Sequence, residues 1–353
     1  MKKFILLLFF VFACGFFDEA SAHPSWAIVV DDKNQIYVSD LEKIWKIDAA
    51  GKVSVFSERH THEMTLDKDG NLLGEELHYE PSTQKYTAAL WRITPNGEFS
   101  YTLAPTETPP KGVSIWKNAA GDTYYLGQTE DTPHENFLLK RSAAGRIKVL
   151  FGDDRKAMRE RQIVPYSVAG MAFAPDGSLY VKNATNIWKV TPDDKVAVLV
   201  NLEQEGRAMS NFMLFGLTID EQNNVYTADL PNKRILKIAA DKKISVIARS
   251  EEDWSPTGVY YRNKTLYFLE SKNVPVNATP VSRVQKIEPD GKVSIVATIG
   301  ERRVNVPANE NQENSANSSS GNQSRSINSC AALGLVIAAL ACALFKREIE
   351  TKI

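Results

Sequence analysis

Cysteine is almost missing from this chain. There are three in 353 residues, and Cys14, Cys330 and Cys342 all lie in the apolar runs at the two ends. Nothing between those runs can form a disulfide or a thiolate metal site, so the body must be held by packing. An excess of one charge is missing too. The 42 Lys and Arg stand against 43 Asp and Glu, a formal net charge of −1, which argues against a nucleic-acid partner. Catalytic signatures are scarce as well. The chain has no G-x-S-x-G elbow and no phosphate-binding loop. Neither His62-Glu63 nor His134-Glu135 continues to the second histidine of a zinc-protease helix. Helical periodicity is nearly absent, and only 153–162 reads as helix.

Long apolar runs occur only at the ends. Residues 1–22 carry Lys2 and Lys3, an apolar core and Ala20-Ser21-Ala22, the three parts of a secretory signal. Residues 330–345 are unbroken apolar sequence followed by Lys346 and Arg347, which reads as a transmembrane helix with 346–353 as a cytoplasmic tail. A processed sorting tag is the alternative for that helix. Between it and the body, 301–329 is rich in Asn and Ser and reads as a disordered stalk. The expectation is an exported, single-pass membrane protein with its body at the cell surface or in the periplasm.

The body, 23–300, is a repeat. A short stretch with a cation or polar residue among apolar ones occurs six times: Ile44–Ile47, Leu90–Ile93, Leu138–Arg141, Ile187–Val190, Ile235–Ile238 and Val284–Ile287. Their second residues, 45, 91, 139, 188, 236 and 285, are separated by 46, 48, 49, 48 and 49. A turn and a strand of alternating residues follow each copy, as in GKVSVFS from Gly51 or GKVSIVAT from Gly291. A hairpin precedes each copy, and its second strand contains Tyr37, Leu73, Tyr124, Tyr180, Tyr226 or Tyr267. The first strand of each unit is the most apolar. Four antiparallel strands per unit and six units predict an all-β fold, a six-bladed β-propeller. The blades span about 23–58, 59–104, 105–152, 163–202, 211–250 and 251–300. With the chain starting on an innermost strand, the ring must close by contact between blades one and six, or through residues just after Thr298.

Candidate site residues follow from that architecture. Three positions after the Tyr or Leu anchor stand Asp40, Glu76, Gly127, Asn183, Asp229 and Glu270. They form either an electronegative top rim that holds a cation or cationic ligand, or a set of acceptors for turn backbone. His60, His62 and Glu63 open blade two. This cluster is either a metal or acid–base site, with His62 and Glu63 as candidate catalytic groups, or a solvated loop.

The unit Gly216-Leu-Thr-Ile-Asp220 … Asn224-Val-Tyr-Thr-Ala-Asp229 … Arg234-Ile-Leu-Lys-Ile resembles the NHL repeat and the gluconolactonase (senescence-marker-protein) group of six-bladed propellers. The resemblance covers the whole body in pattern. It implies that a hydrolytic member would hold a divalent cation over the channel with Glu, Asn and Asp near the inner-strand starts. The residues preceding the inner-strand glycines are here Lys111, Ala169, Phe215 and Thr257, none of which is a good cation ligand. A calcium-type site would instead draw on Glu63, Asn211 and Asp229. Two functions follow: a module that binds a protein, glycan or small molecule on its top face, or a cation-dependent lactonase or esterase.

Overall fold

Six small sheets succeed one another along the chain, each made of strands that neighbour in sequence. A computed structural model describes residues 27–40, 42–59, 61–80, 82–83, 85–127, 137–152, 170–183, 185–202, 213–272 and 281–300. Blade one is β1 (Ile28–Val30), β2 (Ile36–Ser39), β3 (Ile44–Ile47) and β4 (Val53–Ser57). Blade two is β5 (Met64–Leu66), β6 (Leu72–Glu80), β7 (Lys85–Ile93) and β8 (Phe99–Thr106). Blade three is β9 (Thr123–Gly127), β10 (Phe137–Arg141) and β11 (Ile147–Gly152). Blade four is β12 (Met171–Phe173), β13 (Leu179–Lys182), β14 (Asn186–Val190) and β15 (Val196–Asn201). Blade five is β16 (Leu214–Ile219), β17 (Val225–Asp229), β18 (Arg234–Ile238) and β19 (Ile244–Arg249). Blade six is β20 (Trp254–Arg262), β21 (Thr265–Lys272), β22 (Ser282–Ile287) and β23 (Val293–Ile299). Every pairing is antiparallel, and the chain is a six-bladed β-propeller.

The turn chemistry explains why the strands stop where they do. After β1, β5 and β16 an Asp side chain accepts backbone N–H groups two and four residues on: Asp31 from Lys33 and Gln35, Asp67 from Asp69 and Asn71, Asp220 from Gln222 and Asn224. These Asx turns reverse the chain without a helix. The third and fourth strands carry a bulge at the same place in all six blades, beside Trp45, Trp91, Leu139, Trp188, Leu236 and Gln285. A bulge strengthens local twist and spoils the outer edge as a template for another chain.

Blade three departs from the pattern. Its innermost segment makes one isolated bridge, Lys117 to Thr123, and no regular strand. Pro109 and Pro110 stand just ahead of it and supply no N–H, and Gly112 takes a φ of +80°.

Apolar side chains join the blades. Ile187, Leu202, Leu214 and Val225 link blades four and five; Val259, Phe268, Ala228 and Ile235 link five and six. Val30, Val38, Leu269 and Val284 link six back to one. The ring thus closes by packing between its first and last blades, each with its own four strands, and Asn263 adds a hydrogen bond to Asn34. Gly216 lets blades five and six approach. At its φ of +60° an added Cβ would lie 2.6 Å from the Val259 nitrogen and 2.9 Å from the Gly258 Cα.

The expected signal, 1–22, the stalk, 301–329, and the apolar run 330–345 lie outside the described residues. Among the described residues there is no α-helix, and no helix is long and apolar enough to cross a membrane. The expectation of a single-pass membrane protein, partnered with a bilayer through a C-terminal helix, is therefore corrected. A spanning helix needs about 20 apolar residues, and the run at 330–345 is shorter than that.

Leu269→Ala should destabilise the ring by about 2–5 kcal/mol in urea denaturation, because it opens a cavity in the closing seam. Val246→Ala, on an exposed outer strand, should cost less than about 0.5 kcal/mol. Equal effects would contradict closure by packing.

Candidate functional site

Asp40, Asn183 and Asp229 sit at the corner between the second and third strands and Glu76 and Glu270 within the second strand, and their side chains are engaged there. Asp40 accepts from the backbone of Glu42 and Lys43 (2.9 and 2.7 Å) and from the Trp45 indole (2.5 Å). The Asn183 amide oxygen accepts from Thr185 and Asn186 N–H (2.9 and 2.7 Å). Asp229 is fully buried; it accepts from Asn232 through both oxygens (3.0 Å each) and from Arg234 Nε at 2.7 Å. Glu270, also fully buried, accepts from Arg283 (2.5 Å) and Gln285 (2.6 Å). Glu76 pairs with Arg59 at 3.5 Å. Each carboxylate is thus turned toward its own blade's third strand or an adjoining side chain. His60 and Asn211 lie outside the described residues.

The space enclosed by the ring is a cavity of about 1070 Å³. It is lined by the innermost segments of all six blades. Glu63, Ser114, Gly170 and Gly216 stand at the end where those segments start, and Asp67, Asn118, Glu221 and Asn263 where they finish. Only in blade two does the wall extend beyond the inner strand, to Leu73 on β6, Leu90 and Arg92 on β7 and Thr102 on β8. The cavity therefore runs outward along the seam between blades two and three.

That seam is chemically unlike the others. Among the described residues, apolar clusters span blades one–two, three–four, four–five, five–six and six–one, and none spans two–three. Blade two presents polar groups there instead. Met64 pairs with Gly74, so the next position along the ladder sets Glu63 against Glu75, on the face that carries Thr65 and Leu73. The Thr61 hydroxyl lies within hydrogen-bond distance of both their carbonyl oxygens (2.9 and 2.8 Å) and fixes the pair. Like charges opposite one another in a ladder repel. Burial and the neighbouring Glu63 carboxylate push Glu75 up to about 7.

Lys182, the last residue of β13 and only 1% exposed, lies within electrostatic reach of Glu63. Its ammonium donates to the Leu214 carbonyl at 2.7 Å and stands 5.9 Å from the centre of the Phe215 ring. Gly170 makes room for it, since an added Cβ would come within 3.1 Å of the lysine stem. Burial pushes the Lys182 ammonium down to about 8, against the pull of the Glu63 carboxylate. Glu63, Glu75 and Lys182 thus form one electrostatic group, of which Glu63 lines the channel. Of the candidates named from sequence only Glu63 belongs to it. Glu75 and Lys182 occupy the position two after the anchor, where other blades hold Ser39, Leu126, Ala228 and Leu269. Aligning the six copies at that position would have singled them out as its only charged members.

Among the described residues, no group of three or more His, Cys, Asp or Glu is arranged to hold a metal. Glu63 could contribute one ligand, while the Asp229 oxygens already accept hydrogen bonds.

No family model matches the chain and no curated protein matches it. Solved structures similar to it include a streptogramin B lyase (14% identity, 78% of this chain and 84% of that one, TM-score 0.45). Regucalcin from Agrobacterium tumefaciens, described as a calcium-binding protein, is another (14%, 71% and 83%, TM-score 0.47). A luciferin-regenerating enzyme is a third (13%, 70% and 83%, TM-score 0.48). The resemblance to gluconolactonase-like propellers is one of fold.

The raised Glu75 has a stability consequence. The folded chain holds a proton on Glu75 between pH 4.5 and about 7 that the unfolded chain releases, so this contribution is complete below 4.5 and lost as pH rises through 7. Glu75→Gln should therefore stabilise the protein at pH 8 by on the order of 1–3 kcal/mol in urea denaturation. The gain should shrink toward zero near pH 4.5. A gain independent of pH would contradict the buried, like-charged pair.

Proposed function

We propose that this protein is a binding propeller that takes a small molecule into its central channel. The observation that carries the reading is the central cavity of about 1070 Å³, with apolar walls from Met64, Met171, Leu217 and Tyr260 and a few polar groups at its head. Ligand pockets typically measure about 300–1,000 Å³ and combine apolar walls with a small number of placed polar groups. The rim, by contrast, offers few free acceptors to a protein or glycan on the top face, because Asp40, Asn183, Asp229 and Glu270 are bound within their own blades.

A cation-dependent lactonase or esterase is the alternative. It would need calcium or a similar ion on Glu63, Asn211 and Asp229, with His62 and Glu63 as acid and base. Asp229 would have to give up its bonds to Asn232 and to the half-buried Arg234. This cost favours binding over cation-dependent hydrolysis.

Nile red, a neutral apolar dye, should bind at one site per chain with a fluorescence rise. Leu217→Trp, which fills the channel from β16, should weaken that binding about tenfold or more. Absence of binding, or binding indifferent to the substitution, would overturn the channel as the site. Millimolar calcium and EDTA should each leave the Tm unchanged. A calcium-dependent rise reversed by EDTA would restore the cation-dependent reading.

A further inference from the structure

The repeat places one cation on the third strand of every blade: Lys46, Arg92, Lys140, Lys189, Lys237 and Lys286. Each stands opposite the second-strand anchor, which is a tyrosine in five blades and Leu73 in blade two. In blades one, three, four and five the ammonium lies 5.4–5.7 Å from the centre of that ring, and in blade six Lys286 pairs with Glu288 at 2.6 Å. Arg92 has no ring to cover and, among the described residues, no hydrogen-bond or ion-pair partner. It is also the one member of the six that lines the channel cavity. Thr65, Leu73 and Arg92 share a row of the blade-two ladder and all three line the cavity, so that row faces it.

Two more cations stand at the same end. Lys68 lies in the turn after β5 and Lys117 where the inner segment of blade three finishes; both line the cavity, both are exposed, and neither has such a partner among the described residues. Arg92 belongs there because its neighbour Ile93 pairs with Leu72, the first residue after that turn. The acids lining this end are already engaged. Asp67 accepts from Asp69 and Asn71, and Glu221 of blade five accepts from Tyr261. Arg262, the remaining cation of the lining, pairs with Asp32, and Glu63 stands at the opposite end. The mouth between blades two and three therefore carries three cations without counter-ions, beside partly buried apolar surface from Leu73 and Trp116.

Resting on the channel-binding reading above, we propose that this mouth binds the phosphate group of an organic phosphate monoester. Arg92 offers its planar fork to two phosphate oxygens, and Lys68 and Lys117 act as point charges beside it. The organic part lies against Leu73 and Trp116. A phosphate monoester brings about two negative charges and several acceptor oxygens, which matches three cations better than the single charge of a carboxylate does.

The test is calorimetric titration of the full chain at pH 8 with phenyl phosphate, phenol and inorganic phosphate, with Nile red reporting on the channel in parallel. Phenyl phosphate should bind about tenfold or more tighter than phenol, through charge-assisted hydrogen bonds, and about tenfold tighter than inorganic phosphate, through its ring. In Arg92→Gln the preference for phenyl phosphate over phenol should fall about tenfold; in Arg92→Lys, which keeps the charge and loses the fork, it should fall less. Lys237→Gln, the equivalent change in blade five, should leave the preference unchanged. Nile red binding with phenyl phosphate no tighter than phenol would overturn the anion site and leave the channel reading standing. Inorganic phosphate binding as tightly as the ester would overturn the ester in favour of a free oxyanion. Equal losses in Arg92→Gln and Lys237→Gln would overturn the assignment to Arg92. Failure of Nile red and phenyl phosphate alike would overturn both readings. The comparison among ligands uses the unaltered chain, independent of how the variants fold.

Discussion

Everything in this structure depends on side-chain packing between neighbouring sheets. Within a blade the strands share backbone hydrogen bonds, but from blade to blade no ladder continues. A ring of separate sheets holds mainly through apolar faces that meet at the seams, because only scattered hydrogen bonds such as Asn263 to Asn34 cross them. Core side chains such as Ile36, Trp91, Tyr180 and Phe268 are therefore fully or nearly fully buried. Closure obeys the same rule. Blades one and six keep their own four strands and meet through Val30, Val38, Leu269 and Val284, so the last seam is built like most of the others.

A constraint this uniform makes its exception informative. Where blade two faces blade three, the apolar cluster is absent among the described residues and the channel cavity extends into the gap. Two features of the chain converge there. Blade three lacks a regular innermost strand, so its inner segment offers a poor surface for packing. Blade two spends its facing positions on Glu63 and Glu75, which cannot bury well without a counter-charge. Each departure costs stability, and departures of that kind concentrate where a protein keeps a site.

The repeat period made the architecture legible, because a step of 46 to 49 residues between equivalent strands admits little besides blades. Residues whose role depends on their own hairpin were also readable. Asp40, Asn183 and Asp229 lie beside turns, and the structure places them at corners between strands. The site itself was hidden, for a geometric reason. Glu63 and Glu75 face each other only once β5 and β6 are in register, and Lys182 joins them only once the ring brings blades two and four together. Sequence spacing carries the first contact weakly and the second not at all. The membrane helix failed differently. A run of apolar residues is a composition signal, whereas crossing a bilayer demands a length that 330–345 lacks.

Lys182 finally bears on what the channel can recognise. Its ammonium is fixed by the Leu214 carbonyl and stands 5.9 Å from the centre of the Phe215 ring. The Glu63 carboxylate favours the charged form of Lys182 while burial opposes it, so this cation weakens as pH approaches 8. Burial and the adjacent Glu63 hold the Glu75 carboxylate near 7, where a modest change in surroundings decides whether it carries a proton. A neutral ligand finds a hydrogen-bond donor in it; a cationic ligand finds a counter-ion after the proton leaves. An anionic ligand can accept from the protonated form but meets the field of Glu63. The field at the head of the channel thus comes from Glu63, which lines it, coupled to the glutamate of β6 and the lysine of β13.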